Sequence, residues 1–161
     1  MTSLDNCGDD YNLGNSVVVK AYLAMLAYSP VYTATCLKDT ETAMYCFANA
    51  VTNLTNPTNT YFYYLPLNKT LPGSSVPACN RCLQQTMNVF QTATADRKQQ
   101  IASTYGTAAE QVNTICGPNF ANESLAEPLA SSAGPRNIPG GRPSVWLLGT
   151  LSLLPFIRLL I

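Results

Sequence analysis

The sequence contains no histidine, and only 11% of its residues are charged. The absence of histidine excludes Ser-His-Asp and Cys-His catalysis in their usual forms, and it removes the commonest protein ligand of transition metals. Nine basic residues balance nine acidic ones, and the basic residues form no stripe that would indicate a nucleic-acid partner. We therefore expect no metal, no other cofactor and no nucleic acid.

What the chain does contain is an even set of six cysteines: Cys7, Cys36, Cys46, Cys79, Cys82 and Cys116. Such a set in a short extracellular chain is typical of a disulfide framework. Three N-glycosylation sequons, at Asn53, Asn68 and Asn122, also indicate an extracellular chain. We expect the cysteines to be oxidised in the native protein, because each cross-link in a small domain contributes about 2–4 kcal/mol.

Two of the cysteines form a CxxC motif, Cys79-Asn80-Arg81-Cys82. This motif is found in redox pairs and zinc sites, but the chain lacks both a surrounding βαβ pattern and a second close pair of cysteines. Structural disulfides are therefore the preferred interpretation. A helix rising about 1.5 Å per residue, followed by an antiparallel return, would bring Cys116 level with Cys79 or Cys82, so we predict a bond to one of them.

The remaining pairings stay open at the level of sequence. Cys36 and Cys46 bracket a short loop and could bond to each other, which would leave Cys7 for the second cysteine of the CxxC motif. Apart from the bond of Cys116 to Cys79 or Cys82, the sequence does not decide between this connectivity and the others.

Hydrophobic periodicity, capping residues and helix-stopping Pro and Gly predict four helices. Their expected ranges are 16–28, capped by Asn15 or Ser16 and with one or two further turns after Pro30, then 41–51, 75–95 and 107–116, where Gly117-Pro118 ends the last helix. The fourth range begins with a capping box, Thr107 to Glu110. The predicted fold is all-α, a small disulfide-linked bundle with a long extended connection at residues 53–77, where prolines break the periodicity.

That connection carries the densest aromatic run of the chain, Tyr61-Phe62-Tyr63-Tyr64. Alternation predicts that Phe62 and Tyr64 point inward, while Tyr61 and Tyr63 are half exposed. The favoured interpretation is packing against the helices. The alternative is a flat platform on which sugar rings of a cell-wall polysaccharide stack.

A hydrolase using two carboxylates is the remaining catalytic alternative. The candidates are Asp9, Asp10, Asp39, Glu41, Asp96 and Glu110. Several of them lie near predicted helix starts, where negative charge is favoured without any catalytic role. We therefore expect that the protein is not an enzyme.

The C-terminal fifth of the sequence has the order of a glycosylphosphatidylinositol (GPI) attachment signal. Small residues at 131–134 precede a polar spacer rich in Pro and Gly, and an apolar run follows at 145–161. Ser132 fits the attachment site best, and Ser131 nearly as well. A spanning helix is less favoured, because it needs about 20 apolar residues and this run contains Pro155 and Arg158. A buried core element is the least favoured reading, because a long loop-like stretch precedes the run.

The expected organisation is a cysteine-rich helical domain at 1–122, a flexible stalk at 123–144 and the apolar tail at 145–161. A GPI-anchored protein must enter the secretory pathway, yet residues 1–11 contain no apolar stretch, and the apolar residues 17–28 have an acidic flank. We therefore expect a truncated N-terminus, so that a partner of Cys7 could lie upstream.

A family resemblance is carried by the segments NCGDDYNLGNSVV, LAYSPVYTATCL, AMYCFANAVTN, YFYYLPLNKTLPG, PACNRCLQQTMNVF and ICGPNFAN. Together they resemble uncharacterised fungal surface proteins, known only as a domain of unknown function and often ending in a GPI signal. The resemblance covers about residues 6–122. It implies a location at the outer face of the plasma membrane or in the cell wall, a lipid-held contact with the membrane and a structural or interaction role, and it supplies no catalytic residues.

Overall fold

The computed structural model describes residues 7–129, and these residues form an all-α unit, as the sequence predicts. Its helices are α1 (Gly8–Asn12), α2 (Ser16–Thr35), α3 (Cys46–Thr52), a 3₁₀ helix (Pro57–Leu67), α4 (Arg81–Ala93) and α5 (Ile101–Cys116). Within this part of the chain the only β pairing is an isolated bridge between Lys38 and Tyr45. Most of the predicted stalk, both candidate attachment serines (Ser131 and Ser132) and the apolar tail lie outside the described residues.

The core lies where α4 and α5 pack against the 3₁₀ helix. Both α4 and α5 bury a stripe repeated every three to four residues, as an amphipathic helix should. The largest fully buried side chains come from these elements: Phe62, Leu65, Met87, Phe90, Ile101, Tyr105 and Val112. Burial of about 25 cal/mol per Å² of apolar surface is the main force holding these helices together.

Helix α2 begins as predicted, but it does not end at Pro30. The Asn15 side chain accepts a hydrogen bond from the backbone N–H of Val17 at 3.1 Å and caps the helix. Pro30 cannot donate to the preceding turn, which normally breaks a helix. Here the helix continues to Thr35, because Pro30 lies on the buried side together with Ala27 and Ala34.

Helix α3 is shorter than the predicted range 41–51. The Asp39 carboxylate accepts hydrogen bonds from the backbone N–H groups of Glu41 (2.8 Å) and Thr42 (3.2 Å), an arrangement typical of a turn. Ala43 then has a φ of 58°, in the left-handed region that a helix does not allow. The helix therefore begins only at Cys46.

The predicted extended connection is wrong over residues 57–67, which form the 3₁₀ helix. Its burial repeats every three residues, as three residues per turn require. Phe62 is buried as predicted, but Tyr63 is buried and Tyr64 exposed, the reverse of the predicted alternation. The predicted alternation assumed that buried side chains recur every two residues, as in a strand, whereas in this segment they recur every three residues.

The starts of the last two helices also differ from the prediction. Helix α4 begins at Arg81, where the Asn80 side chain accepts from the backbone N–H of Leu83 at 2.9 Å. Helix α5 begins at Ile101, so the Thr107 hydroxyl donates to the Thr104 carbonyl inside the helix and no capping box forms. The end of α5 at Gly117, with φ of 100°, is as predicted.

The residues that follow α5 remain attached to the unit as far as Leu129. The Thr94 hydroxyl accepts from the backbone N–H of Ala126 at 2.8 Å, and the Arg97 guanidinium donates to the Ala126 carbonyl at 2.8 Å. The Leu129 N–H donates to the Ala95 carbonyl at 3.0 Å. Residues 123–129, expected to begin the stalk, therefore hydrogen-bond to the end of α4 and the turn that follows it.

Two disulfides cross-link the helices. Cys79 bonds to Cys116, which confirms the prediction for Cys116, and Cys82 bonds to Cys46. The alternative pairing of Cys36 with Cys46 is wrong, because Cys46 starts α3 on its buried side and faces α4. Cys7 does not bond to the CxxC motif, and both Cys7 and Cys36 are free and exposed.

The CxxC motif is thus the meeting point of two separate cross-links and not a dithiol pair. Its two cysteines bond to residues in different elements, α3 and the end of α5. This arrangement leaves neither sulfur available for a redox cycle within the motif or for a zinc site.

Removal of the Cys79–Cys116 bond should lower the free energy of unfolding by about 4 kcal/mol. The bond joins residues 37 positions apart, and the chain-entropy model assigns about this value to a loop of that length. The test is urea denaturation of Cys79→Ala/Cys116→Ala, with remaining free thiols alkylated. The control is Cys7→Ala/Cys36→Ala, which also removes two cysteines but no bond. Equal losses in the two variants would contradict the assignment.

The stability should also fall in strong alkali, because of Tyr105. Burial raises the pKa of Tyr105 to about 12, and its hydroxyl donates to the Asn122 carbonyl at 2.6 Å. Burial likewise raises the pKa of Tyr63, opposed in part by its hydrogen bond with Thr86. An unfolded tyrosine titrates at about pH 10. The stabilisation by neutral Tyr105 is therefore complete below about pH 10 and is lost as the pH rises through about 12.

We expect the urea midpoint to fall between about pH 10 and 12, and to fall less steeply in Tyr105→Phe, which cannot ionise. Both proteins should carry Cys7→Ala/Cys36→Ala, since free thiolates would attack the disulfides at this pH. Tyr61→Phe, at an exposed position, is the matched control and should keep the steep decline. The same decline in Tyr105→Phe would show that another group causes it.

Candidate functional site

The 3₁₀ helix holds the candidate surface, and side chains fix it to its neighbours. The Asn59 amide oxygen accepts from the backbone N–H of Ala78 at 2.9 Å, and the Thr60 hydroxyl donates to the Ala50 carbonyl at 3.1 Å. From the other side, the Thr104 hydroxyl donates to the Leu65 carbonyl at 2.9 Å. These bonds compensate for the weaker backbone geometry of a 3₁₀ helix and hold it in one orientation.

Two members of the aromatic run belong to the core. Phe62 is fully buried, and the Tyr63 ring lies edge-on to Phe47 at a centroid distance of 4.9 Å. The Tyr63 hydroxyl is 3.3 Å from that of Thr86, so its polar end is satisfied inside the protein. Neither ring can serve as a platform for a ligand.

The other two members, Tyr61 and Tyr64, form an exposed pair. Their exposed fractions are 43% and 45%, so each ring keeps a large part of its surface in solvent. Residues three apart lie on the same side of a 3₁₀ helix, at a separation of about 6 Å along its axis. The structure therefore brings together two of the four predicted platform residues and excludes the other two.

An apolar groove of about 280 Å³ lies beside this helix, where Leu67 meets α2. Leu67 is three residues beyond Tyr64 and on the same side of the 3₁₀ helix. The opposite wall includes Tyr28 and Tyr32, whose rings stack at 5.8 Å with an interplanar angle of 17°. These two exposed tyrosines were not among the predicted platform residues, although their four-residue spacing on a helix places them side by side.

A second, polar groove of about 490 Å³ lies between α4, α5 and the chain that follows α5. Most of its amide side chains already bind the protein itself. The Asn113 amide donates to the Ala121 carbonyl (2.9 Å) and to the Glu123 carboxylate (2.8 Å), and Gln84 donates to the Phe120 carbonyl (3.2 Å). These side chains hold the segment after α5 in place.

Carboxylates are sparse in the grooves of the described residues. Two further cavities lie beside Asn49 and Thr86 and beside Pro30 and Val89. In these two cavities and the two grooves above, Glu123 is the single lining carboxylate. Among residues 7–129, no three His, Cys, Asp or Glu side chains are grouped so that they could hold a metal ion. The grooves thus offer no pair of carboxylates for acid–base catalysis.

The three sequons all lie outside the helices, but their side chains differ. Asn68 is exposed at the end of the 3₁₀ helix with a left-handed φ of 60°, a conformation that Asn tolerates. Asn122 is exposed, and its amide oxygen accepts from the N–H of Ser124 at 3.0 Å. Asn53 is half buried, and its oxygen accepts from Thr55 and Asn56. Asn68 and Asn122 are therefore the more open positions for a glycan.

Helix α2 is long and apolar enough to cross a membrane, judged by length and composition alone. Core helices and signal sequences pass the same test. In this structure its buried residues Ala27, Pro30 and Ala34 pack against the rest of the unit. The helix is thus part of the folded domain.

Comparison with known proteins supplies a family but no activity. No curated protein and no solved structure matches the chain significantly. A family model described as a domain of unknown function (DUF7729) matches residues 1–125. The matched range includes all six cysteines and every helix of the structure. The chain therefore belongs to the DUF7729 family, a domain of unknown function.

Proposed function

We propose that this chain is a fungal GPI-anchored protein of the outer cell surface or cell wall, with a structural or interaction role and no catalysis. The observation that carries the proposal is the order of small residues, polar spacer and apolar tail at residues 131–161. Attachment at Ser132, or at Ser131, would remove the tail and leave the helical domain on a lipid. The membrane is then a partner through that lipid.

The helical domain supports the same location in two ways. Its disulfides are of the kind that persists in oxidising compartments outside the cytosol. Two of its sequons, at Asn68 and Asn122, have exposed side chains that would accept a glycan without disturbing the core. Glu123 is the single carboxylate that lines the grooves described above, and a hydrolase of the kind considered would need two.

Phosphatidylinositol-specific phospholipase C provides the test. The chain is expressed behind a secretory leader, and we expect the enzyme to move the protein from the detergent phase to the aqueous phase in Triton X-114 partitioning. Protein that stays in the detergent phase, while a known GPI-anchored control is released, would contradict the proposal.

A pair of variants locates the attachment site. Ser131→Glu/Ser132→Glu removes the small residues that a GPI signal requires, so the surface-exposed, phospholipase-sensitive protein should be lost. Ser144→Glu is the control, because it changes the polar spacer and keeps those residues. Equal surface levels for both variants would show either that the lipid is attached at another residue or that the chain carries no GPI anchor.

A second candidate role is binding of a wall polysaccharide through Tyr61 and Tyr64. What favours it is the exposed position of both rings on one side of a 3₁₀ helix that is fixed by hydrogen bonds. Tyrosine rings offer a large apolar face at a small cost in conformational entropy, which suits stacking on sugar rings. The low charge of the chain agrees with a neutral ligand.

Retention on insoluble chitin and β-glucan tests this role. Tyr61→Ala/Tyr64→Ala should reduce the bound fraction about tenfold, because two stacking contacts are lost. The control is Tyr45→Ala, whose ring is similarly exposed at 48% but belongs to the N-terminal cap of α3 and not to the 3₁₀ helix. Absence of retention, or equal retention by the wild type and the double variant, would remove the candidate.

A further inference from the structure

Helix α2 is apolar around its whole circumference but covered on only one side. A single charged residue, Lys20, interrupts its twenty residues. Such a helix is normally buried on all sides. Here Ala27, Pro30 and Ala34 face the domain, while Val17, Tyr28 and Tyr32 on the other side are 74%, 67% and 58% exposed.

Five of the exposed residues of α2 form one continuous stripe. At 100° per residue, the members of this outer stripe fall within about 80° of each other: Val17, Ala21, Ala24, Tyr28 and Tyr32. The two alanines leave the middle of the stripe flat, and the apolar groove of about 280 Å³ runs along its second half. A second helix could approach closely there, because small residues at the contact reduce the interaxial distance.

The two free cysteines lie toward opposite ends of this helix. Cys36 directly follows its last turn. Cys7 is one turn before Tyr11, whose ring contacts Tyr22 in the first half of α2 at a centroid distance of 5.0 Å. The other four cysteines of this sequence are paired with one another, so Cys7 and Cys36 are the two thiols left for bonds within a chain or between chains.

We propose that a second copy of this chain covers the outer stripe in an antiparallel, two-fold arrangement, and that Cys7 of each copy bonds to Cys36 of the other. A two-fold axis perpendicular to α2 places the C-terminal end of each helix beside the first half of its partner. Both free thiols of both copies are then paired by symmetry.

Charge selects the antiparallel arrangement over the parallel one. Side-by-side parallel helices would set Lys20 against its own copy and the exposed pair Asp9 and Asp10 against theirs. They would also align the two helix dipoles unfavourably. The antiparallel arrangement avoids all three repulsions.

The size of the stripe explains why disulfides are needed. A helix of twenty residues is about 30 Å long, and one face about 10 Å wide offers roughly 300 Å². A stable non-covalent interface buries about 800 Å² on each partner. The stripe alone therefore supports only weak association, which two covalent bonds would make permanent.

Each bond forms by thiol–disulfide exchange. A Cys36 thiolate attacks the disulfide of an oxidant such as oxidised glutathione, and one glutathione thiol leaves. The Cys7 thiolate of the partner then attacks the mixed disulfide, and the second glutathione thiol leaves. The two thiols lose two protons and two electrons, and the electrons reduce the oxidant's disulfide to two thiols. In the cell this step rests on the proposed extracellular location, but the purified protein undergoes it in any oxidising buffer.

Mixing of single variants gives a decisive test. In oxidised glutathione the wild type should form a covalent dimer on non-reducing gels, which reduction converts to monomer. Cys7→Ser and Cys36→Ser should each stay monomeric, because neither has both bonding residues. Their equimolar mixture should regain a covalent dimer, linked once through the Cys7 and the Cys36 that remain.

Other outcomes would overturn the proposal. Covalent dimers of either single variant alone would indicate bonds between identical cysteines. A wild-type monomer that has lost both thiols and carries no glutathione by mass spectrometry would indicate a bond between Cys7 and Cys36 of one chain. A wild-type monomer whose two thiols are free or capped by glutathione would show that no second copy binds. None of these results depends on whether the chain carries a lipid anchor.

The outer stripe itself is tested with a charge. Ala24→Glu places a carboxylate in the contact and should slow dimer formation about tenfold. Thr33→Glu, which is exposed on α2 about 140° from Tyr28, should leave the rate unchanged. Equal rates for the two variants would overturn the interface. A lipid surface is the other possible occupant of the stripe, and flotation of Cys7→Ser/Cys36→Ser with phosphatidylcholine vesicles tests it. Flotation that is lost when Ala24→Glu is added would assign the stripe to a lipid surface and would also overturn the proposed dimer interface.

Discussion

The two disulfides that meet at the start of α4 are the constraint on which the structure depends. Cys79 precedes the helix and Cys82 lies in its first turn, and they tie it to the end of α5 and to the start of α3. The 3₁₀ helix lies within the loop that the Cys46–Cys82 bond closes. Its orientation, and with it the exposed position of Tyr61 and Tyr64, therefore depends on that cross-link as well as on its own hydrogen bonds.

The sequence was sufficient for properties that depend on local chemistry or on chain length. The all-α class, the Asn15 cap, the stop at Gly117 and the bond of Cys116 to the CxxC motif all follow from residue type and spacing. The failures share a different origin. Pro30 stays in a helix, and residues 57–67 coil into a 3₁₀ helix, because of what they pack against. Tertiary packing of this kind cannot be predicted from a short segment of the sequence.

The same distinction holds for the candidate surface. The aromatic run was visible in the sequence, but the choice of Tyr61 and Tyr64 as its exposed members required the three-residue period. The outer stripe of α2 was not found, since a helix that is apolar all round gives no amphipathic signal to show which side is covered. Only the positions of Ala27, Pro30 and Ala34 in the fold identify the opposite side as open.

The free thiols and the disulfides differ in their exposure, and this difference bears on how the domain keeps its pairing. Cys46 and Cys82 are 1% and 5% exposed, so an attacking thiolate cannot reach their bond. Cys79 is exposed, which makes the Cys79–Cys116 bond the one open to exchange with Cys7 or Cys36. A chain that retained both free thiols in an oxidising compartment would risk that exchange. Pairing Cys7 and Cys36 across two copies would consume those thiols. The bonds that hold a second copy against α2 would therefore also protect the Cys79–Cys116 bond from exchange.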